Sequence, residues 1–231
     1  MKIKHPEKRL KQFWGQVDKK HIKSFSGFLT GKNILDMGCG LGTTIDYISK
    51  MGLNCIGIDF NTDAIEYCQK TYPRCNFQIA NAEQLPFEDG YFDTIILRDV
   101  LHHFYGEADF NKIKKEIIRV SKSKARIIFF DPNVNFILKT MRKISSHKDE
   151  ECNFETAVAL MKQMKCEIIH HDFNTIYSLP LSGGYVGINF IPNIKYIQNI
   201  VLYSENYFEK LINKIGLGRQ LCWRYLIVGQ M

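Results

Sequence analysis

One stretch constrains this chain more than any other. Asn33–Thr43 reads Asn-Ile-Leu-Asp-Met-Gly-Cys-Gly-Leu-Gly-Thr, and a helical pattern follows through Ile45, Tyr47 and Ile48. The apolar Ile34 and Leu35 run into Asp36 and then into Gly38, Gly40 and Gly42, the pattern of a buried strand that turns sharply into a helix. A turn whose backbone presses against a ligand needs left-handed dihedrals or a missing Cβ, and glycine supplies both. The following helix offers N–H groups at its start. The stretch reads as a ligand-binding turn.

Dinucleotide-binding folds also use a glycine-rich turn, spaced GxGxxG. That spacing would place the third glycine at position 43, where Thr43 stands, with Gly42 just before it. A nicotinamide-dependent oxidoreductase is disfavoured on this ground. The spacing Gly38-x-Gly40-x-Gly42, with Asp36 two residues ahead, resembles motif I of the class I S-adenosylmethionine (SAM)-dependent methyltransferases of the type 11-like group.

From Asn33 onward strand and helix patterns alternate, as in a doubly wound parallel α/β sheet. Strands are expected at 33–37, 54–59, 76–80, 94–97, 126–131, 167–173 and 224–228, with helices at about 43–51, 62–71, 109–121 and 155–164. Asn61 caps the second of these helices. The resemblance implies a Rossmann-like sheet of seven strands in the order 3-2-1-4-5-7-6, the last antiparallel. It covers about residues 33–131. The expected organisation is one domain over 1–231, made of a basic helical segment (1–32), a SAM-binding core (33–173), an insertion forming an acceptor-side lid (174–222) and a final strand (223–231).

SAM carries a sulfonium, a ribose diol, an adenine and an amino-acid tail. Asp59 closes the second strand 17 residues past Gly42, where a carboxylate accepts from both ribose hydroxyls. Phe60 would lie along the adenine or ribose. Asn81-Ala82-Glu83-Gln84-Leu85-Pro86-Phe87 resembles the family's Asp-Ala-x-x-Leu-Pro-Phe segment, in which the acid accepts from the adenine amino group. Here Asn81 accepts without bringing charge. By resemblance the cofactor residues are Asp36, Gly38, Cys39, Gly40, Gly42, Thr43, Asp59, Phe60, Asn81, Ala82, Glu83, Arg98 and Val100.

Methyl transfer is an in-line displacement in which the protein aligns the nucleophile and excludes water. An oxygen or nitrogen acceptor also uses a base. The candidates are His102 and His103, in Leu101-His102-His103-Phe104-Tyr105, and Asp131, in Asp131-Pro132-Asn133. A structural role is the alternative for each. Trp14, Tyr105, Tyr177 and Tyr185 are candidate acceptor contacts. Leu97-Arg98-Asp99-Val100 stands where adenine- and cytosine-N4 methyltransferases carry Asn/Asp-Pro-Pro-aromatic, and no Pro-Cys nucleophile is seen where the cytosine-C5 enzymes need one.

The formal charge of +7 sits in residues 1–32, where nine Lys/Arg face Glu7 and Asp18, and the remainder is neutral. Leu10, Phe13, Trp14 and Val17, then Ile22, Phe25 and Leu29 after a break, predict one or two amphipathic helices here. Such a segment serves as a lid over the cofactor, as a basic surface, or as an edge helix with a solvated lysine face. Seven cysteines without a C-x-x-C pair predict reduced thiols and neither zinc nor a disulfide framework. The first residues lack a secretory pattern and no apolar run reaches about 18 residues, so the expectation is a cytoplasmic protein. The aromatic insertion with its neighbouring basic segment adds peripheral membrane contact to that expectation.

The sequence thus predicts transfer of methyl from SAM, leaving S-adenosylhomocysteine, to an oxygen or nitrogen of a small-molecule or lipid-linked acceptor. An RNA methyltransferase and a non-catalytic SAM-binding module are the alternatives, and nucleic acid is disfavoured because the neutral remainder carries no RNA-binding motif.

Overall fold

The computed structural model describes residues 12–107, 109–135, 152–183 and 189–231. Seven strands, β1 Asn33–Met37, β2 Asn54–Asp59, β3 Asn76–Ile79, β4 Phe92–Arg98, β5 Ser121–Pro132, β6 Glu167–Asn174 and β7 Arg224–Gln230, form one sheet. Its order is 3-2-1-4-5-7-6, as the resemblance implies, with β7 antiparallel to β5. The pairs β1–β2, β1–β4, β2–β3 and β4–β5 are parallel. Ile34, Leu35 and Met37 are fully buried in β1, and Ile95, Ile96 and Leu97 are equally so in β4, the continuous apolar runs of strands covered on both faces.

The described helices are α1 Phe13–Ser26, α2 Thr43–Ser49, α3 Thr62–Thr71, α4 Leu101–Glu107, α5 Phe110–Val120, α6 Phe154–Gln163, α7 Ser178–Leu181, α8 Lys195–Lys214 and α9 Gly218–Leu221. Asn61 accepts from the Ala64 N–H and so caps α3 as expected, and Asn153 does the same for α6 through Thr156. Ile113, Ile117 and Val120 recur at four- and three-residue steps and bury one face of α5. No helix among the described residues is long and apolar enough to cross a membrane.

Besides the short helices α7 and α9, which the pattern does not mark, three elements differ from it. Strand β5 begins at Ser121 rather than 126, because its ladder with β4 shifts register between Phe92 and Thr94 and Lys124 turns left-handed at φ 67°. A bulge of this kind breaks the alternation by which strands are recognised. Helix α4 was not expected; it is a short segment whose Leu101 and Phe104, three apart, are both buried. Helix α1 runs unbroken from Phe13 to Ser26, and its described residues put only Lys19 and Lys23 fully into solvent.

The chain clusters into two compact units. One comprises Phe25–Pro132, Asp149–His171 and Leu226–Met231. The other comprises Met1–Ser24, Asn133–Lys148 and Asp172–Tyr225, and is helical over most of its described residues. In this second unit Leu179 and Trp223 are buried together, with Trp14 and Val134 packed against them.

The second unit is also held by a polar knot. Lys20 of α1 pairs with Glu205 and, at 2.6 Å, with Glu209 of α8. Glu205 accepts from the consecutive N–H groups of Ile176, Tyr177 and Ser178 at 2.9, 2.8 and 2.7 Å. Glu209 accepts from the Thr175 N–H, while His21 Nε2 meets Thr175 Oγ1 at 2.8 Å. Lys20 is therefore the internal counter-ion of the unit and no part of a solvated lysine face.

Candidate cofactor and active site

The candidate site lies wholly in the sheet unit, at the carboxyl ends of β1, β2, β4 and β5, where open α/β sheets bind ligands. Gly38 and Cys39 both donate their N–H to Ile58 O, at 2.8 and 2.9 Å, which ties the turn after β1 to the end of β2. Gly40 N–H donates to Asp59 Oδ2 at 3.0 Å, and Asn61 N–H donates to Oδ1 at 2.9 Å. Two backbone donors thus fix the Asp59 carboxylate, and each oxygen keeps a lone pair for a further hydroxyl.

Glycine is required in this turn for two separate reasons. At Gly38 (φ 73°) an added Cβ would sit 2.4 Å from Val100 Cγ2, so the requirement there is packing against the turn after β4. At Gly40 (φ 49°) an added Cβ would meet nothing within 4 Å, so the space it would enter is open. Gly42, also left-handed, is the N-cap residue of α2, and Thr43 opens that helix.

Phe60 projects from the end of β2 with 78% of its surface exposed, unusual for an aromatic side chain. Open space at Gly40, a fixed carboxylate at Asp59 and an exposed ring at Phe60 are adjacent along one sheet edge. These residues fit a nucleoside cofactor with a diol and a flat base. Asp36 and Asp131, both buried, add two further acidic positions on β1 and β5, a field that suits a cationic ligand.

The loop after β3 is built as an Asx turn, Asn81 Oδ1 accepting from the Glu83 N–H at 2.9 Å, which leaves that oxygen a second lone pair. The Glu83 carboxylate is engaged with the start of α5, accepting from the Asp109 N–H at 3.0 Å. Ala82 lies between them. Arg98 Nη2 donates to Thr43 Oγ1 at 2.9 Å, joining β4 to α2, and Val100 packs on Gly38. Cys39 is buried; its contact with Cys68 and then its burial push its thiol well above the usual range, which removes it as a nucleophile.

Among the catalytic candidates the structure brings His102 and Asp131 together. His102 Nδ1 lies 2.8 Å from Asp131 Oδ2, and the same carboxylate accepts from the N–H groups of Leu101 and His102 at 3.3 and 3.2 Å. With Nδ1–H donated to the carboxylate, the ring carries its lone pair on Nε2. His103 is exposed, its ring 4.2 Å from that of His102. Trp14 and Tyr177 belong to the second unit, where Tyr177 Oη meets Ser204 Oγ at 2.6 Å. Tyr105 lies on α4, and Tyr185 is outside the described residues.

Glu116 and Arg119 of α5 were not singled out in the sequence, yet they shape the loop that follows Asn81. Leu85 N–H donates to Glu116 Oε2 at 2.6 Å, while Arg119 donates to Leu85 O, Phe87 O and Asp89 Oδ1. The Arg119 hydrogen bond holds the Glu116 carboxyl below its ordinary range, against the opposing effect of burial. Their spacing of three on a helix was the available signal, but it reads equally as a surface ion pair. Arg119→Met is expected to cost about 1–2 kcal/mol by loss of charged hydrogen bonds and to weaken cofactor binding severalfold, measured by thermal melting and calorimetry. Unchanged affinity would show that the loop keeps its shape without them.

Asp99, also unremarked in the sequence, adopts φ 56° and donates its N–H to Phe130 O at 2.9 Å. Strained backbone of this kind clusters at ligand sites.

Residues 35–129 match a family whose description is "Methyltransferase domain". The chain is 32% identical over 124 residues to the tocopherol O-methyltransferase of Arabidopsis thaliana, a match covering 51% of this chain and 33% of that protein. It is 31% identical over 104 residues to the norajmaline N-methyltransferase of Rauvolfia serpentina, covering 42% and 35%. In both cases the chain matches less than half of the relative's length. A crystal structure of a SAM-dependent methyltransferase from Archaeoglobus fulgidus superposes with a TM-score of 0.66 at 18% identity, covering 94% of each chain, which shows the shared fold.

Proposed function

From the premise that residues 35–129 are a class I SAM-dependent methyltransferase domain, we propose that this protein methylates an oxygen or nitrogen of a small-molecule or lipid-linked acceptor. SAM, the cofactor of this family, supplies a methyl group on a positively charged sulfur. Asp59 would hold the ribose hydroxyls, Phe60 would lie along the base, and Asn81 and Ala82 would meet the adenine edge. Gly40 leaves room for the ligand at the turn.

The observation that carries the oxygen or nitrogen reading is the His102–Asp131 pair. Asp131, oriented by two backbone N–H groups, fixes the imidazole tautomer, and His102 Nε2 takes the proton that leaves the acceptor hydroxyl or amine. Relatives named as an O- and an N-methyltransferase support this acceptor chemistry. We propose that the insertion within the second unit selects the acceptor, since loops and inserted helices commonly carry specificity on such folds.

The test is transfer of labelled methyl from SAM to panels of phenols, amines and extracted lipids, with His102→Ala and His102→Gln beside wild type. The expected result is transfer that falls on the order of a hundredfold in both variants, the loss expected for a missing general base, with S-adenosylhomocysteine binding retained. Full transfer by His102→Ala would remove the base. Labelling of RNA alone, falling steeply with salt, would favour the RNA reading, and binding of NAD(H) in place of SAM would overturn the proposal.

A further inference from the structure

Helix α8 has two chemically opposite faces. Glu205 and Glu209 are the only acidic residues between Thr175 and Trp223. Both are buried and turned onto Lys20 and the 175–178 backbone. Neither carboxylate of α8 therefore stands on the outward face beside the exposed Lys195, Lys210 and Lys214.

What accompanies those cations is apolar. Tyr196, Ile200, Tyr203, Tyr207 and Leu211 follow one another at steps of four, three, four and four, which places them within about 80° of arc on a helix turning 100° per residue. The stripe is roughly 22 Å long at 1.5 Å per residue. Tyr203 and Tyr196 are 81% and 74% exposed and Tyr207 66%, with Phe208, Ile215 and Leu217 also exposed. An outward apolar stripe of this extent on a chain of this composition marks an interaction surface.

We propose that this face of α8 docks on an anionic lipid bilayer. Tyrosine favours the boundary between headgroups and acyl chains, where its ring is apolar and its hydroxyl wet. Lysine extends an apolar stem and reaches up to phosphate. The lysines stand at the two ends of the stripe, Lys195 before Tyr196 and Lys210 and Lys214 at the far end, so that they flank an inserted aromatic centre. A second copy fits this face poorly, since either orientation brings lysines together with no acid to pair them. RNA fits it poorly too, because from Tyr196 to Glu209 the exposed face offers no cation to follow a phosphate backbone. The proposal is independent of the catalytic reading, and its test needs no methyl acceptor.

The experiment is flotation of the full chain with vesicles of phosphatidylcholine alone and with about 30% phosphatidylglycerol. It compares wild type, Tyr203→Asp/Tyr207→Asp and Lys210→Gln/Lys214→Gln, with folding checked by circular dichroism. Wild type is expected to float with the anionic vesicles and at least tenfold less with the neutral ones. The tyrosine variant is expected to lose at least tenfold on anionic vesicles, and the lysine variant to lose the preference for them. Absence of wild-type flotation overturns the proposal, as does undiminished flotation of both variants. A dimer in sedimentation that the tyrosine variant dissolves, without vesicle binding, would assign the face to a second copy instead. Salt-sensitive capture of oligouridine without vesicle binding would assign it to RNA.

Discussion

Asp59→Ala is expected to lower the affinity for S-adenosylhomocysteine on the order of a hundredfold, read by calorimetric titration. The loss has two sources. A carboxylate that accepts from two hydroxyls contributes charged hydrogen bonds of about 1.5–3 kcal/mol each. The same carboxylate also fixes the turn, by accepting from Gly40 and Asn61, so the substitution strips two backbone N–H groups of their partner. Asp59→Asn separates the two effects, because an amide oxygen still accepts from one backbone donor but brings no charge. It is expected to fall between wild type and alanine. Equal binding by wild type and Asp59→Ala would place the nucleoside elsewhere. If the nucleoside does bind here, Gly40→Ala should weaken binding as well, since its Cβ enters the open space at a left-handed position that alanine adopts only with strain.

The second large effect is on stability. Lys20→Met is expected to destabilise by about 3 kcal/mol, the lower end of the range for breaking a buried ion pair, because Lys20 keeps 13% side-chain exposure. For a chain of this size that is roughly 6–12 °C in melting temperature. Two carboxylates then remain in the interior without their cation. Glu205 keeps the three N–H groups of Ile176, Tyr177 and Ser178, whereas Glu209 keeps only that of Thr175 among the hydrogen bonds described for the pair. A melting temperature unchanged by the substitution would mean that water reaches the knot and the ion pairs contribute nothing.

The two acids have opposite pH signatures. Burial pushes Glu205 up, but the charge and hydrogen bond of Lys20 with the Ser178 contacts outweigh it and hold the carboxyl below its ordinary value. Its contribution is present above about pH 4.3, the ordinary glutamate value, and is lost as pH falls through the depressed one. Burial, with repulsion from Glu205, leaves Glu209 above its ordinary value despite Lys20. The stability linked to its proton is therefore present below about pH 4.3 and lost as pH rises through the raised value. Glu209→Gln retains an acceptor for Thr175 and escapes that loss. Relative to wild type it should gain stability as pH rises from 4 toward 7, measured by urea unfolding at each pH; a relative loss over that interval would mean that the Glu209 charge is net stabilising.

The strands of the sheet and the glycine turn of the candidate site were legible because both follow from short-range rules. Ile34 and Leu35 before Asp36 and the spaced glycines mark a covered strand running into a turn. Asn61 marks a cap, and Ile113, Ile117 and Val120 mark a buried helix face. Each signal spans a few neighbouring residues. Helix α4 escaped because its buried apolar residues, Leu101 and Phe104, span a single turn, too short a stretch to show a period, and the start of β5 escaped because the left-handed Lys124 interrupts the alternation.

What the amino-acid order alone determined is the alternation of strands and helices, and the glycine turn after the first strand that carries Gly38 and Gly40. These depend on local periodicity and on residue types that few backbones accept. The strand order came from the resemblance to the methyltransferase family. Only the tertiary structure decided which polar groups meet. It joined His102 to Asp131 across 29 residues, Glu116 and Arg119 to the loop after Asn81, and Lys20 to Glu205 and Glu209 more than 180 residues away. A buried charge has no period, and its partner is whichever side chain the packing of distant elements brings within reach. By the same logic the structure turned both acids of α8 inward, and so left its outer face tyrosine-rich and basic.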